Sequence, residues 1–201
     1  MYDPDAVLDA VESLTAASGP AAVTIRAVSA AVGLSNGALY HSFDSRAGLV
    51  ARAWLRAAGR FFALQNDLVD GALPAGPAAA VVAAADAPVV FAERHPASST
   101  LLWATSREEL LESDLPDDLA AEMRDAQRSL IGLMIRLAVA VWDRKDARAV
   151  DTITTCIVDL PTAIVLRRSR LTDPIAREHL RAAVRAVLDV GPPPPLKGNN
   201  R

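Results

Sequence analysis

Asn36, Tyr40 and His41 stand within six residues of one another, with Arg26 upstream and Arg46 downstream. These are side chains that recognise rather than transform. Asn36 can pair bidentately with adenine, and Ala38 can touch a thymine methyl. Tyr40 and His41 can donate hydrogen bonds to phosphate oxygens, which set position without reading sequence. Gly37 is small enough to let backbone approach a nucleic acid. Arg46 lies in the first turn of a helix that Ser45 can cap, so its guanidinium and the free backbone N–H groups there form a phosphate clamp.

The elements that must position these residues are two short helices. Thr24 is an N-cap, and Ile25, Val28 and Val32 fall at the spacing of an apolar helical face. Gly33 sits where a helix needs a left-handed residue beyond its end, and Leu34 can fold back onto the core. Ser35 then caps a second helix over Asn36 to Ser42, with Leu39 and Phe43 turned inward. Helix, glycine-containing turn and second helix make a helix-turn-helix, whose second helix enters the DNA major groove. A helical hairpin that only packs would not account for an exposed Tyr-His pair with an arginine on the next helix start.

From about Val7 to Trp54 the chain resembles the DNA-binding domain of TetR-family transcriptional regulators. The resemblance rests on Thr24-Ile25-Arg26, on Ala30 to Ser35, on Gly37 to Phe43 and on Ser45 to Leu49. It implies an all-helical homodimer with an N-terminal DNA-binding domain and a C-terminal regulatory domain for a small molecule. By position it implies phosphate contacts from Thr24, Tyr40, His41 and Arg46, and base or near-base contacts from Arg26, Asn36, Gly37 and Ala38, with Ser35 at the head of the helix. Asn36 and Ser42 depart from the Lys and His that many relatives carry there. Gly48 lowers the helix propensity of the turn after Ser45. The opening Met1-Tyr2-Asp3-Pro4-Asp5 offers no basic minor-groove arm.

Around this stretch, 201 residues with 22% charged residues and a formal charge of −3 read as ordinary globular composition, not a nonspecific nucleic-acid coat. Between Thr24 and Arg60, however, five arginines face a single acid, Asp44. The lone Cys156, set among Ile153 and Ile157, reads as a small buried hydrophobe and excludes an internal disulfide. No signal peptide, no uncharged apolar run of ~18 residues, and no metal or cofactor motif is found, so a cytoplasmic protein without a metal or cofactor is expected.

In chain order, Asp3 caps a first helix from Pro4 to about Ala17 with Val7, Leu8, Val11 and Leu14 inward. A helix from Ser45 to about Asp67 connects the domains, and its Arg52, Arg56 and Arg60 read as a solvated face. The break at Gly71 to Pro77 separates a DNA-binding domain, residues 1–50, from a helical effector-binding and dimerisation domain, residues 71–190. There, helices are expected over Pro77 to Arg94, kinked or split by Pro88, over Ala97 to Thr105, Pro116 to Trp142, Arg148 to Arg168 with a bend at Pro161, and Pro174 to Val190. His95 is expected to close the first of these, and Ser106 to Asp118 to be turn-like. Residues 191–201 read as a disordered tail. The whole is all-α, about nine helices.

Nothing in the second half forms a catalytic constellation, and an enzyme is not expected. Phe61, Phe62, Phe91, Trp103 and Met123, with Arg107 and Gln127, are instead candidates for a mostly apolar effector site. The resemblance implies dimerisation through residues 148–168 and 174–190 and binding to a palindromic operator in double-stranded DNA. The expected function is a regulator, most often a repressor in this family, released by a small hydrophobic or amphipathic effector. The alternatives are a same-fold regulator without a ligand, or a helical ligand-sequestering or structural protein that no longer binds DNA.

Overall fold

The computed structural model describes residues 3–195, and every regular element among them is helical. The order is α1 (Pro4–Ser18), α2 (Ile25–Val32), α3 (Asn36–Phe43), α4 (Arg46–Ala72), α5 (Pro77–Arg94), α6 (Pro96–Ala104), α7 (Arg107–Glu112), α8 (Asp117–Trp142), α9 (Ala147–Thr154) and α10 (Pro174–Val190). The chain forms two compact units. One comprises residues up to Phe61 with Phe91–Arg128, the other Phe62–Val90 with residues from Ser129 onward. Residues 91–128, placed by the sequence reading with the C-terminal domain, thus share a unit with the reading head. Of the expected tail, residues 196–201 lie outside the described residues.

In the first unit α1 begins as its sequence dictates. Asp3 accepts from the Asp5 N–H at 2.9 Å, Pro4 stands in the first turn, and Val7 and Val11 are buried. Helix α1 packs on α2 and on α6. Arg56 and Arg60 of α4 are not on a solvated face, and here the expectation is corrected. Arg56 donates to Glu12 at 2.8 Å, to Asp9 at 2.6 Å and to Asp5 at 3.1 Å. Arg60 reaches both oxygens of Glu12 at 3.3 Å and the Ser98 hydroxyl at 3.1 Å, while that hydroxyl donates to Glu12 at 2.6 Å. Glu12 is only 4% exposed. Burial works against the Arg56 charge, but its bonds to Glu12, Asp5 and Asp9 outweigh this and its pKa is raised.

Three local expectations also change. Helix α4 runs on to Ala72 before a 3₁₀ turn, Leu73–Ala75. His95 closes α5 as expected, its N–H bonding back to the Phe91 carbonyl at 2.7 Å, but it also serves as the N-cap of α6, with its ring 5.4 Å from that of Phe91. Residues 107–112, read as turn, are a short helix because Ser106 accepts from the Glu109 N–H at 3.2 Å and Glu108 and Glu109 fill the first turn.

In the second unit, Pro88 neither splits nor ends α5. A proline inside a helix orphans the carbonyl four residues back, here that of Ala84. Gln65, 1% exposed, donates to that oxygen at 3.0 Å. The borrowed donor is why the helix survives. Gln65→Leu is expected to cost about 1–3 kcal/mol by leaving the carbonyl unpaired. Pro88→Ala in the same background should recover much of that by supplying an N–H, which a double-mutant cycle in urea would measure. Helix α9 continues into two π-helical stretches, Thr155–Asp159 and Thr162–Leu166, on either side of Pro161. The expected bend is therefore taken up as wider turns: the Leu160 N–H reaches back to Thr155 and the Arg167 N–H to Thr162.

The core of this unit joins Val81, Val89, Leu137, Ile153, Val165, Leu180 and Val184. Burial pushes the Cys156 thiol up to about 11, so it stays an unreactive hydrophobe. Asp86 on α5 accepts from Arg177 Nε at 2.8 Å and Nη2 at 2.6 Å, and from Arg181 at 2.6 Å, tying α5 to α10.

Candidate nucleic-acid interface

Helix α2 starts where Thr24 accepts from the Ala27 N–H at 3.0 Å, and it stops at Gly33 in the left-handed region, φ 69°. The Ser29 carbonyl accepts from the Gly33 N–H and, at 3.2 Å, also from the Leu34 N–H, so both residues of the turn close on one acceptor. The Ser29 hydroxyl also donates to the Leu34 carbonyl, fastening both sides of the turn. Ser29 was not singled out from sequence; a small hydroxyl four residues before the glycine was the available signal. Ser35 accepts from the Ala38 N–H at 3.2 Å and starts α3.

Leu39 and Phe43 are buried beneath α3, at 0% and 4% exposure, whereas Tyr40 is 54% exposed. Asn36, Gly37 and His41 are exposed on the same helix, Ala38 is half-buried, and Arg26 is exposed in the first turn of α2. The structure thus brings Asn36, Gly37, Tyr40 and His41 together on one outward edge. Thr24 and Ser35 are exposed too, with their side-chain oxygens committed to the caps.

The exit from α3 is a tight reversal. Asp44 adopts φ 61°, ψ −48°, and the Ser45 N–H bonds back to the Phe43 carbonyl at 2.6 Å. That is a γ-turn in its rare, strained form. It aims the Phe43 carbonyl at the first turn of α4, where a Cβ on Gly48 would sit 2.4 Å from that oxygen. Gly48, a propensity cost on sequence grounds, is therefore required by close approach. Gly48→Ala should lower stability by about 1–3 kcal/mol despite the better helix former, measured by thermal melting; an increase would show that the turn relaxes freely.

Arg46 is exposed, but its guanidinium turns inward. Nε donates to the Val23 carbonyl and Nη2 to that of Pro20 at 2.8 Å. Beside it, a cleft of about 260 Å³ opens between the α1–α2 connection and α6–α7, lined by Thr15, Pro20, Val23, Arg46, Leu101 and Thr105 among others. None of the effector candidates lines this cleft.

Of those candidates, Phe61 meets Phe91 edge-on at 5.5 Å and Trp103 at 5.2 Å. Met123 is fully buried, Arg107 is paired with Glu108 at 3.0 Å, and Gln127 is exposed on α8. Phe62 falls in the other unit. Three of the seven thus form one cluster.

Residues 7–53 match the model of the tetR family of bacterial regulatory proteins. The whole fold is similar to that of a transcriptional regulator from Rhodococcus sp. RHA1, at 18% identity, covering 96% of this chain and 100% of the other, TM-score 0.71. It is similar also to the ketosteroid regulator KstR2 of Mycobacterium tuberculosis, at 18% identity over 95% of each chain, TM-score 0.65. The regulator PfmR of Thermus thermophilus compares at 20% identity, 94% and 96% coverage, TM-score 0.65. Among curated proteins none matches the sequence.

Proposed function

We propose that the chain is a TetR-family transcriptional regulator, a reading supported by the match of residues 7–53 to that family's model and by the all-helical fold, and that it acts as a dimeric repressor released from a palindromic operator by a small apolar or amphipathic effector. The observation that carries the DNA-reading part is the edge of α3. Tyr40, His41 and Asn36 face outward over a buried Leu39/Phe43 anchor. In this reading Arg26, Asn36, Gly37 and Ala38 read or approach bases, and Thr24, Ser35, Tyr40 and His41 set register on phosphates. Tyr40→Ala is expected to weaken binding to all sequences alike. Asn36→Ala should cost about 1–3 kcal/mol, mainly at one base position. Mobility shifts against single-base operator variants separate the two; equal losses at every site for both proteins would refute the division.

Dimerisation through residues 148–168 and 174–190 is supported by the character of Ala147–Leu166. By length and composition alone that helix could cross a membrane, yet only 33% of its most apolar window is buried. Its remaining apolar side chains, Val158, Leu160, Ile164 and Leu166 among them, are half-buried against the unit's own core, and a second copy would complete their burial symmetrically. The effector part of the reading is supported by the Phe61, Phe91 and Trp103 cluster. Ser99 on α6 adds a hydroxyl that is buried without a hydrogen-bond partner. Such a mix of rings and a few polar groups suits an apolar molecule with one polar end. A ligand that prefers one state of the dimer then shifts the spacing of the paired reading helices.

A further inference from the structure

We propose that Arg46 is a positioning residue for the reading helix, a strap across the entry to α2, and not a phosphate contact; the proposal rests on α3 being the DNA-contacting helix. Two edge donors of the planar guanidinium take two backbone carbonyls, those of Val23 and Pro20. Val23 immediately precedes Thr24, whose side chain and carbonyl start α2 through Ala27 and Val28. Helix α2 is in turn fastened to the start of α3 by the Ser29–Leu34 bonds. The other end of α3 is set by the γ-turn at Asp44, two residues before Arg46.

The first turn of α4 therefore holds the reading unit at both ends, through covalent connection after α3 and through Arg46 before α2. Val23 is buried and the Pro20–Ala22 3₁₀ turn closes on itself through the Val23 N–H and the Pro20 carbonyl, while its outer side, at Pro20 and Ala21, borders the cleft of about 260 Å³. Arg46 is the side chain that ties this turn to α4. A lysine would keep the charge and the reach to a phosphate, but it lacks the planar fork that spans two carbonyls. Arg46→Lys thus separates the two roles.

The test compares Arg46→Lys and Arg46→Gln with the unaltered protein, well below their melting temperatures. In the free proteins, amide hydrogen exchange at Ala27 and Val28 is expected to quicken in both variants. On duplex DNA, the ratio of operator to nonspecific affinity should fall about tenfold or more in both, with the slope of log affinity against log salt unchanged. Near-native behaviour of Arg46→Lys, together with a slope about 0.9 shallower for Arg46→Gln, would overturn the proposal in favour of a phosphate contact. Unchanged exchange at Ala27 and Val28 would overturn it without any DNA. A drop in melting temperature with an unchanged affinity ratio would also overturn it, leaving Arg46 a stabilising residue only. If the unaltered protein bound no sequence specifically, the function reading would fail, while the exchange measurement would still decide the strap.

Discussion

Glu12→Ala is expected to lower stability by about 3–5 kcal/mol, the range for breaking a buried ion pair from one side. Glu12 is 4% exposed and takes bonds from Arg56, Arg60 and Ser98. Its removal strips Arg60 of its carboxylate and the Ser98 hydroxyl of its acceptor. Arg56 would keep Asp5 and Asp9, whose side chains are 75% and 64% exposed and so hold it weakly. The consequence goes beyond the melting point, because Glu12 joins α1 to α4 and α6. Loosening it should also reduce operator affinity, since α1 packs on α2. Glu12→Gln tests charge against shape: it keeps the volume and can still bond, so its loss should be smaller. Urea denaturation of both variants gives the comparison, and equal stability of Glu12→Ala and the unaltered protein would show that water replaces the carboxylate at no cost.

Asp86→Ala should destabilise by a similar amount, about 3–5 kcal/mol, through the second unit. Asp86 is 6% exposed and is the shared acceptor for Arg177 and Arg181. Without it two guanidiniums converge on an uncharged site at the junction of α5 and α10. The signature of this mechanism is recovery. Asp86→Leu combined with Arg177→Leu removes the carboxylate and its more buried partner, leaving only Arg181, whose side chain is 38% exposed and can turn to water, so stability should return to within ~1–2 kcal/mol of the starting protein. Since α10 belongs to the proposed dimer face, Asp86→Ala should also raise the dimer dissociation constant in sedimentation. Single and double variants of equal stability would assign the loss to packing instead.

The reading head was legible because its signals are local. Thr24, Gly33 and Ser35 each do one backbone job at a fixed place, and Leu39 and Phe43 lie four residues apart. The structure keeps all five where the spacing put them. What sequence hid was partnership at a distance. Arg56 and Arg60 look solvated until Glu12, 44 and 48 residues away, is brought beneath them. The available signal was an acid on the inward stripe of α1. Pro88 looked like a helix breaker because its remedy, Gln65, sits on another helix. Gly48 looked like a weakness because the carbonyl it makes room for is placed there by a turn no propensity scale describes. The effector candidates were the least legible, since residue type alone cannot tell a ring that lines a site from one that fills a core.

The sharpest check on the DNA-reading role is selection of bound fragments from a random duplex library at moderate salt. The expected result is recovery of one palindromic sequence whose half-sites are centred about one helical turn (~34–36 Å) or a multiple apart, matched to the paired α3 helices of a dimer. Recovery of no common sequence, with binding that salt abolishes uniformly, would contradict it.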